Sequence, residues 1–139
     1  MSDLSRAKEL VRGGACTCAL VCGEKTVISQ KRGVLPLLEL YDSGEDYSAF
    51  SAADKVVGRA AAFMYVLLGV SELHAFIISE PALSVLREGG VRVSFSSRVE
   101  AIRNRTNTGL CPMETATCDI DNAEEALMAI RCTLETLKA

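Results

Sequence analysis

The sequence lacks the features that mark membrane, secreted and nucleic-acid-binding proteins. No apolar run approaches the roughly 20 residues that a membrane-spanning helix requires. The chain has 15 basic and 18 acidic residues spread along its length, which gives no basic stripe for a phosphate backbone. The segment Met1–Arg6 lacks the basic-then-apolar order of a signal peptide. We therefore expect a cytoplasmic protein with neither a nucleic-acid nor a membrane partner.

Histidine is equally scarce, and this limits the metal sites that the chain could form. The only histidine, His74, lies in the apolar run Leu73–Phe76, where a strand residue is a simpler interpretation than a catalytic base. Cys111 and Cys118 are too far apart in sequence to form one short zinc knuckle. We expect no metal and no cofactor.

Six cysteines are present, which is many for a cytoplasmic chain of 139 residues. Cys16, Cys18 and Cys22 fall in one apolar run, and the alternation of a strand would place all three on one face. Cysteines in such a run are typical small core residues. Disulfides are not expected in a reducing compartment.

The residue pattern predicts a single α/β domain over residues 1–139, because the length suits one domain and no linker divides the chain. Alternation of strand and helix after a hairpin favours a mixed sheet of about five strands with helices on both faces. The predicted helices are Ser2–Arg12, Val34–Tyr41, Ser51–Leu68, Glu80–Glu88 and Asp121–Lys138, the last capped by Asp121. The predicted strands are Ala15–Cys22, Thr26–Gln30, Glu72–Ser79, Val91–Phe95 and Thr115–Ile120, and Val99–Asn104 suits either a helix or a turn.

Two segments resemble the scaffold of a zinc deaminase without its metal ligands. Zinc deaminases carry H-x-E at one such place and P-C-x-x-C at the other. At the first, the start of the predicted helix Ser51–Leu68, Asp54 and Val56 stand where the His and Glu would be. At the second, Ala82 and Val85 stand where the two cysteines would be. Zinc deaminase activity is therefore not expected.

Four blocks in the same order make the chain similar to an uncharacterised bacterial family, a domain of unknown function that lacks the zinc-binding motifs. The resemblance implies a cytidine-deaminase-like fold, a three-layer α/β/α sandwich whose mixed sheet starts with an N-terminal hairpin. It supplies no established activity. The blocks are Gly33–Leu38, Asp54–Ala62, Ile78–Ala82 and Asn104–Glu114.

Polar residues near the predicted helix starts are candidates for binding a small anionic ligand. Basic side chains and free backbone N–H groups at a helix start suit an anion, and open α/β sheets bind ligands at strand carboxyl ends. A solvated basic face is the alternative for Lys55 and Arg59, and a helix cap is the alternative for Ser79. The candidates are Lys55, Arg59, Ser79, Glu80, Asn104 and Arg105.

A cysteine nucleophile is the competing hypothesis. Cys111 precedes Pro112, and a helical turn starting there would favour the thiolate. Glu114 could cap that turn or move a ligand's proton, and Asp54 could tune protons from the predicted helix start. Three functions stay open at this point: a metal-free domain that binds a small polar or nucleotide-like ligand, a cysteine-dependent enzyme, and a structural protein that assembles as a homo-oligomer.

Overall fold

A five-stranded mixed sheet organises the chain in the computed structural model, which describes residues 2–31, 33–103, 109 and 111–138. Its order is β2-β1-β3-β4-β5. β1 runs antiparallel to β2 and β3, and β3, β4 and β5 run parallel to one another. The strands are β1 Cys18–Cys22, β2 Lys25–Ser29, β3 Ser51–Val57, β4 Glu72–Ser79 and β5 Arg92–Val99. The predicted mixed sheet is confirmed.

The described residues form six helices, and none of these helices is long and apolar enough to cross a membrane. Ser79 caps α4 as predicted, since its Oγ accepts from the Ala82 N–H at 3.2 Å. The predicted cap of α6 is wrong: Asn122, not Asp121, accepts from the N–H groups of the first turn. The helices are α1 Asp3–Arg12, α2 Leu35–Asp42, α3 Arg59–Leu68, α4 Glu80–Glu88, α5 Pro112–Thr117 and α6 Ala123–Lys138.

Apolar residues form one cluster on each face of the sheet. The larger cluster joins the sheet to α2, α3, α4 and α6, and its fully buried members include Leu37, Met64 and Ile130. The smaller cluster joins Ala7 and Val11 of α1 to the other face. Helices therefore cover both faces, as the alternation of elements predicted.

The predicted helix Ser51–Leu68 is wrong over its first half, which is the strand β3. Alanine and lysine favour a helix locally, but Ser51–Val57 lies between β1 and β4 and pairs with both. Ala52 and Ala53 are fully buried, one on each face of the sheet. Gly58 separates this strand from α3, so Asp54 and Lys55 lie inside a strand and not at a helix start.

The predicted strand Thr115–Ile120 is also wrong, because residues 112–117 form α5. Threonine favours strands, yet the Thr117 hydroxyl donates to the Met113 carbonyl at 2.8 Å within this helix. Pro112 in the first turn suits a helix start. The segment predicted from Val99 to Asn104 is not a helix over residues 99–103, and Val99 is the last residue of β5. Asn104 lies outside the described residues.

The three hairpin cysteines do not share one face. Cys18 and Cys22 lie in β1 on the face of Leu20, towards the larger cluster. Cys16 precedes the strand and packs in the smaller cluster beside α1. The prediction of a common face fails because β1 begins at Cys18, three residues later than expected, which leaves Cys16 outside the strand.

Candidate functional site

The carboxyl group of Asp54 is buried on β3, the central strand of the sheet. Asp54 is opposite Cys18 in the β1–β3 register, and its residue is 8% exposed. Its Oδ2 accepts from the Tyr65 hydroxyl of α3 at 2.7 Å, and its Oδ1 accepts from the Val56 N–H at 3.4 Å. Strand and helix thus hold this carboxyl from two sides.

Burial changes the protonation of this cluster. It raises the pKa of Asp54 to about 7, and the hydrogen bond from Tyr65 opposes that rise only in part. Burial, with the nearby Asp54 carboxylate, raises the pKa of Cys18 to about 12 and also raises the pKa of Cys16. The two thiols are therefore protonated at neutral pH, whereas Asp54 changes charge there.

A groove of about 280 Å³ opens between the β1–β2 hairpin and α2. Cys18 and Leu20 contribute to its lining from β1, and Pro36 contributes from α2. Lys31 and Glu39 also line it, and they form an ion pair with Nζ–Oε distances of 2.9 and 3.1 Å. The groove therefore joins an exposed charged pair to Cys18, the strand neighbour of the buried Asp54 carboxyl.

A second depression, of about 420 Å³, lies between the ends of α2 and α3. Its acidic residues, Asp42 and Glu45, are both exposed, and Asp42 pairs with Arg131 at 2.6 Å. No buried titratable side chain is among its described lining residues. The hairpin groove is consequently the better candidate site.

Glu114 caps the start of α3 and does not cap its own helix. Gly58, at the N-cap of α3, has no side chain to offer, and Glu114 Oε1 accepts from the Arg59 N–H at 2.6 Å. A Cβ atom at Gly58 would meet that oxygen at 1.9 Å. Burial raises the pKa of Glu114, and the Arg59 N–H and guanidinium oppose the rise. The chain's own carboxylate therefore fills the place where an external anion would meet α3.

The Arg59 guanidinium is also directed at the protein. Its Nε donates to the Thr117 carbonyl at 2.8 Å, and one of its terminal nitrogens donates to the Ile120 carbonyl. Its carbon lies 5.2 Å from the centre of the Phe63 ring. These contacts hold the end of α5 against α3.

Of the other predicted binding residues that the structure describes, Ser79 and Glu80 lie at the junction of β4 and α4, and Lys55 lies on β3. Ser79 is fully buried as the cap of α4, and the exposed Glu80 lies 3.6 Å from Arg98. Lys55 is exposed on β3, and its predicted place at a helix start is wrong because only Arg59 belongs to α3. Asn104 and Arg105 lie outside the described residues.

The three predicted catalytic residues have different partners. Cys111 is the N-cap residue of α5, packs against the larger cluster and donates its N–H to the Ile102 carbonyl at 3.0 Å. Glu114 bonds to Arg59, and Asp54 bonds to Tyr65. Among the described residues, no three His, Cys, Asp or Glu side chains lie together in a group that could hold a metal ion.

Sequence reasoning missed Cys18 and Tyr65 as partners of Asp54. The signal was present in the pattern Ala52–Val57, which two buried alanines and two valines make compatible with a buried strand. Once that strand is placed beside β1, Cys18 falls opposite Asp54.

Comparison with known proteins gives a family and a solved fold. The model of the family TM1506, a domain of unknown function (DUF1893), matches residues 6–134. The crystal structure of a DUF1893 family protein (TM1506) from Thermotoga maritima is similar, with a TM-score of 0.86 and 24% sequence identity, over 95% of this chain and 90% of that one. No curated protein matches the sequence. The chain belongs to the DUF1893 family, a domain of unknown function, as its four sequence blocks led us to expect in outline.

Proposed function

We propose that this DUF1893 domain is a metal-independent binding domain and that its ligand, a small polar or anionic molecule of nucleotide-like chemistry, occupies the groove between the β1–β2 hairpin and α2. One observation carries the proposal: Cys18 in the groove lies directly opposite the buried Asp54 carboxyl, whose pKa is about 7. A strongly perturbed carboxyl behind a concave surface is a common property of binding and active sites.

A cytidine-deaminase-like fold is part of the proposal, and the order of elements supports it. The hairpin is followed by α2, and β3 then leads into α3, so the order hairpin, helix, strand, helix is present in this part of the chain. The place of H-x-E would then be the start of α2, and the place of P-C-x-x-C would be the Val57–Gly58–Arg59 junction between β3 and α3. Each place lies one strand and one helix earlier in the chain than the sequence predicted. Neither place carries H-x-E or P-C-x-x-C. Pro36 of α2 lines the groove, so the groove lies beside the first of these places.

The size and lining of the groove favour a small ligand. A volume of about 280 Å³ is just below the usual range for ligand pockets, roughly 300–1,000 Å³, and it suits a nucleoside or a nucleoside monophosphate better than a dinucleotide. Val27 and Leu40, which are both partly exposed, offer apolar contacts for a base or sugar. Lys31 can exchange its exposed contact with Glu39 for a phosphate, because exposed ion pairs contribute little.

A thermal-shift series with nucleosides, nucleoside monophosphates and inorganic phosphate tests the proposal. A ligand present at about 100 times its Kd should stabilise the native protein by about 2.7 kcal/mol. We expect Lys31→Ala to weaken binding about tenfold, since it removes the cation at the rim. Lys25→Ala is the matched control, because Lys25 is exposed on the same hairpin and does not line the groove.

Two results would count against the groove. In the first, none of these compounds stabilises the protein at millimolar concentration. In the second, Lys55→Ala abolishes the stabilisation and Lys31→Ala does not, which would place the anion at the residue predicted from sequence.

The cysteine-dependent enzyme stays a prediction with its own test. A nucleophilic Cys111 should react with iodoacetamide at neutral pH before Cys118 and Cys132, although both of those cysteines are more exposed. Slower labelling of Cys111 than of these two would remove the hypothesis.

A further inference from the structure

A histidine with a serine at each ring nitrogen lies on the opposite face of the sheet from the groove. His74 of β4 has its Nδ1 2.8 Å from the Ser94 Oγ and its Nε2 3.2 Å from the Ser96 Oγ, and both serines belong to β5. His74 and Ser94 are register partners in the parallel pair, and Ser96 follows two residues later on the same face. This cluster takes no part in the proposed groove.

The imidazole ring is held in place from several sides. His74 is 5% exposed, whereas Ser94 and Ser96 are exposed. The ring of Phe76 contacts the imidazole edge to face, with centroids 4.9 Å apart and planes at 78°. The ring therefore presents a fixed Nε2 to an accessible hydroxyl, which is the geometry of a base beside a nucleophile.

Burial and the surrounding positive charges favour the neutral imidazole. Burial lowers the pKa of His74, and the positive charges of Lys8 and Arg12 on α1 lower it further. The neighbouring strand residues Ala53, Ser94 and Ser96 carry no charge, and the opposite charges of Glu72 and Arg92 stand at the preceding register pair on this face of β4 and β5. A neutral imidazole has one N–H and one lone pair, so it can donate to one serine and accept from the other.

The ring geometry distinguishes the two serines. Ser94 lies directly across from the His74 backbone and contacts Nδ1, the ring nitrogen nearer to the main chain. Ser96, which is exposed, contacts Nε2 at the tip of the ring. With the proton on Nδ1, Ser94 accepts from Nδ1–H and orients the ring, and Ser96 can donate its proton to Nε2.

We propose that Ser96 is a nucleophile activated by His74 and that it accepts an acyl group from a small ester or acyl phosphate. The Ser96 Oγ forms a bond to the acyl carbon, and the bond from that carbon to the leaving oxygen breaks. The Ser96 proton passes to His74 Nε2 and then to the leaving group. Lys8 and Arg12 supply positive charge near the cluster, which favours a donor with an anionic leaving group. β5 is the edge strand of the described sheet, so every second backbone N–H along it points outward and can polarise the acyl carbonyl.

A fluorophosphonate, which modifies activated serines, tests this assignment on the intact protein. Peptide mass spectrometry should find the adduct on Ser96, and Ser96→Ala should abolish it. Ser97→Ala is the matched control, since Ser97 is the next residue of the same exposed strand. We expect His74→Gln to slow labelling by about 100-fold or more, because it removes the base. Release of p-nitrophenol from p-nitrophenyl acetate should show the same order among these variants.

The pH dependence of labelling in the native protein serves if His74→Gln does not fold. Labelling should be constant at neutral pH and should fall in acid as His74 gains a proton. A histidine with a purely structural role leaves Ser96 as slow as Ser97 at every pH, and that result would overturn the proposal. An adduct on Ser94 in place of Ser96, or equal labelling of Ser96 in the His74→Gln variant, would overturn it as well.

Discussion

At the scale of single residues, Asp54 combines deep burial with a hydrogen bond from a neutral partner. The Tyr65 hydroxyl is fully buried with it, and burial raises the pKa of Tyr65 as well. A carboxyl group in such a place favours its protonated form, because ionisation in the interior is costly. When Asp54 is ionised above neutral pH, its buried charge raises the free energy of the folded state and leaves that of the unfolded state unchanged.

The Asp54→Asn variant should therefore lose a specific pH dependence. In the native protein the folded state holds a proton between the ordinary pKa of 3.8 and about 7, so the free energy of unfolding falls as pH rises through that range. The slope is at most about 1.4 kcal/mol per pH unit. We expect Asp54→Asn to flatten this fall and to be more stable than the native protein above about pH 7. Urea denaturation across this pH range measures both effects.

An exposed acid provides the control for this experiment. Asp119 is exposed, so Asp119→Asn should leave the pH profile of the native protein unchanged. A profile of Asp54→Asn that falls as steeply as the native one would show that another group carries the dependence.

The sequence identified Asp54 as notable but placed it in the wrong environment. Charged residues after Ser51 fit a capped helix start equally well, and a local pattern holds no record of which strands will lie on either side. Asp54 acquires its burial only when β1 and β4 pair with β3. A perturbed pKa that arises from non-local pairing cannot be predicted from neighbouring residues.

At the scale of elements, the contact between α5 and the start of α3 shows how a helix without its own cap is completed. Glu114 accepts from the Arg59 N–H, and the Arg59 side chain donates back to carbonyls at the end of α5. The two helices thus satisfy each other's free backbone groups. Gly58 permits this approach because it has no Cβ.

Removal of this cap should give a coupled pair of substitutions. Glu114→Ala leaves the Arg59 N–H without its acceptor and should cost about 1–2 kcal/mol. Gly58→Ala places a Cβ against the carboxylate and should cost about 1–3 kcal/mol. In the double variant the side chain that clashes is gone, so the combined loss should be clearly less than the sum. Urea denaturation of the four proteins measures the coupling.

Glu125→Ala is the control, since this exposed acid lies in the first turn of another helix. It should cost no more than about 0.5 kcal/mol. Strict additivity of Gly58→Ala and Glu114→Ala would contradict the contact.

Elements with strong local signals were predicted closely, and the misplaced ones depend on distant partners. The hairpin turn at Gly23 and the capped start of α4 at Ser79 each depend on a few adjacent residues. By contrast, β3 was taken as helix because its alanines favour a helix, and its two strand partners lie elsewhere in the chain.

At the scale of the whole molecule, α6 packs on the rest of the domain chiefly through apolar burial. Ile130 and Ala126 are fully buried in the larger cluster. The next residue, Arg131, forms an exposed ion pair with Asp42 of α2 at 2.6 Å. Adjacent residues of one helix therefore make two different kinds of long-range contact.

The two contacts should differ widely in their contribution to stability. Ile130→Ala removes a fully buried side chain and should cost about 2–5 kcal/mol. Arg131→Ala removes a pair whose partners are both close to half exposed, and it should cost less than about 1 kcal/mol. Chemical denaturation compares the two variants directly. A larger loss for Arg131→Ala would show that the ion pair, and not burial, holds α6.

The fold class and the family outline could be predicted because both rest on the order of elements and on four short blocks of sequence. The site could not, because the groove depends on how the hairpin faces α2 and on the strand placed behind it. Glu114 and Arg59 have residue types that suit catalysis or anion binding, yet their contacts lie within the protein. The residue types therefore suggested a function, whereas the packing of the helices directs these two side chains at other parts of the protein.

Ligand binding in the hairpin groove is tested most directly by titrating the isotopically labelled native protein with nucleoside monophosphates and recording amide chemical shifts. We predict saturable shifts for Cys18, Ser29, Lys31 and Glu39, with smaller changes for the amides around Asp54. Shifts confined to other parts of the molecule, or the absence of shifts at millimolar ligand, would contradict the proposed site.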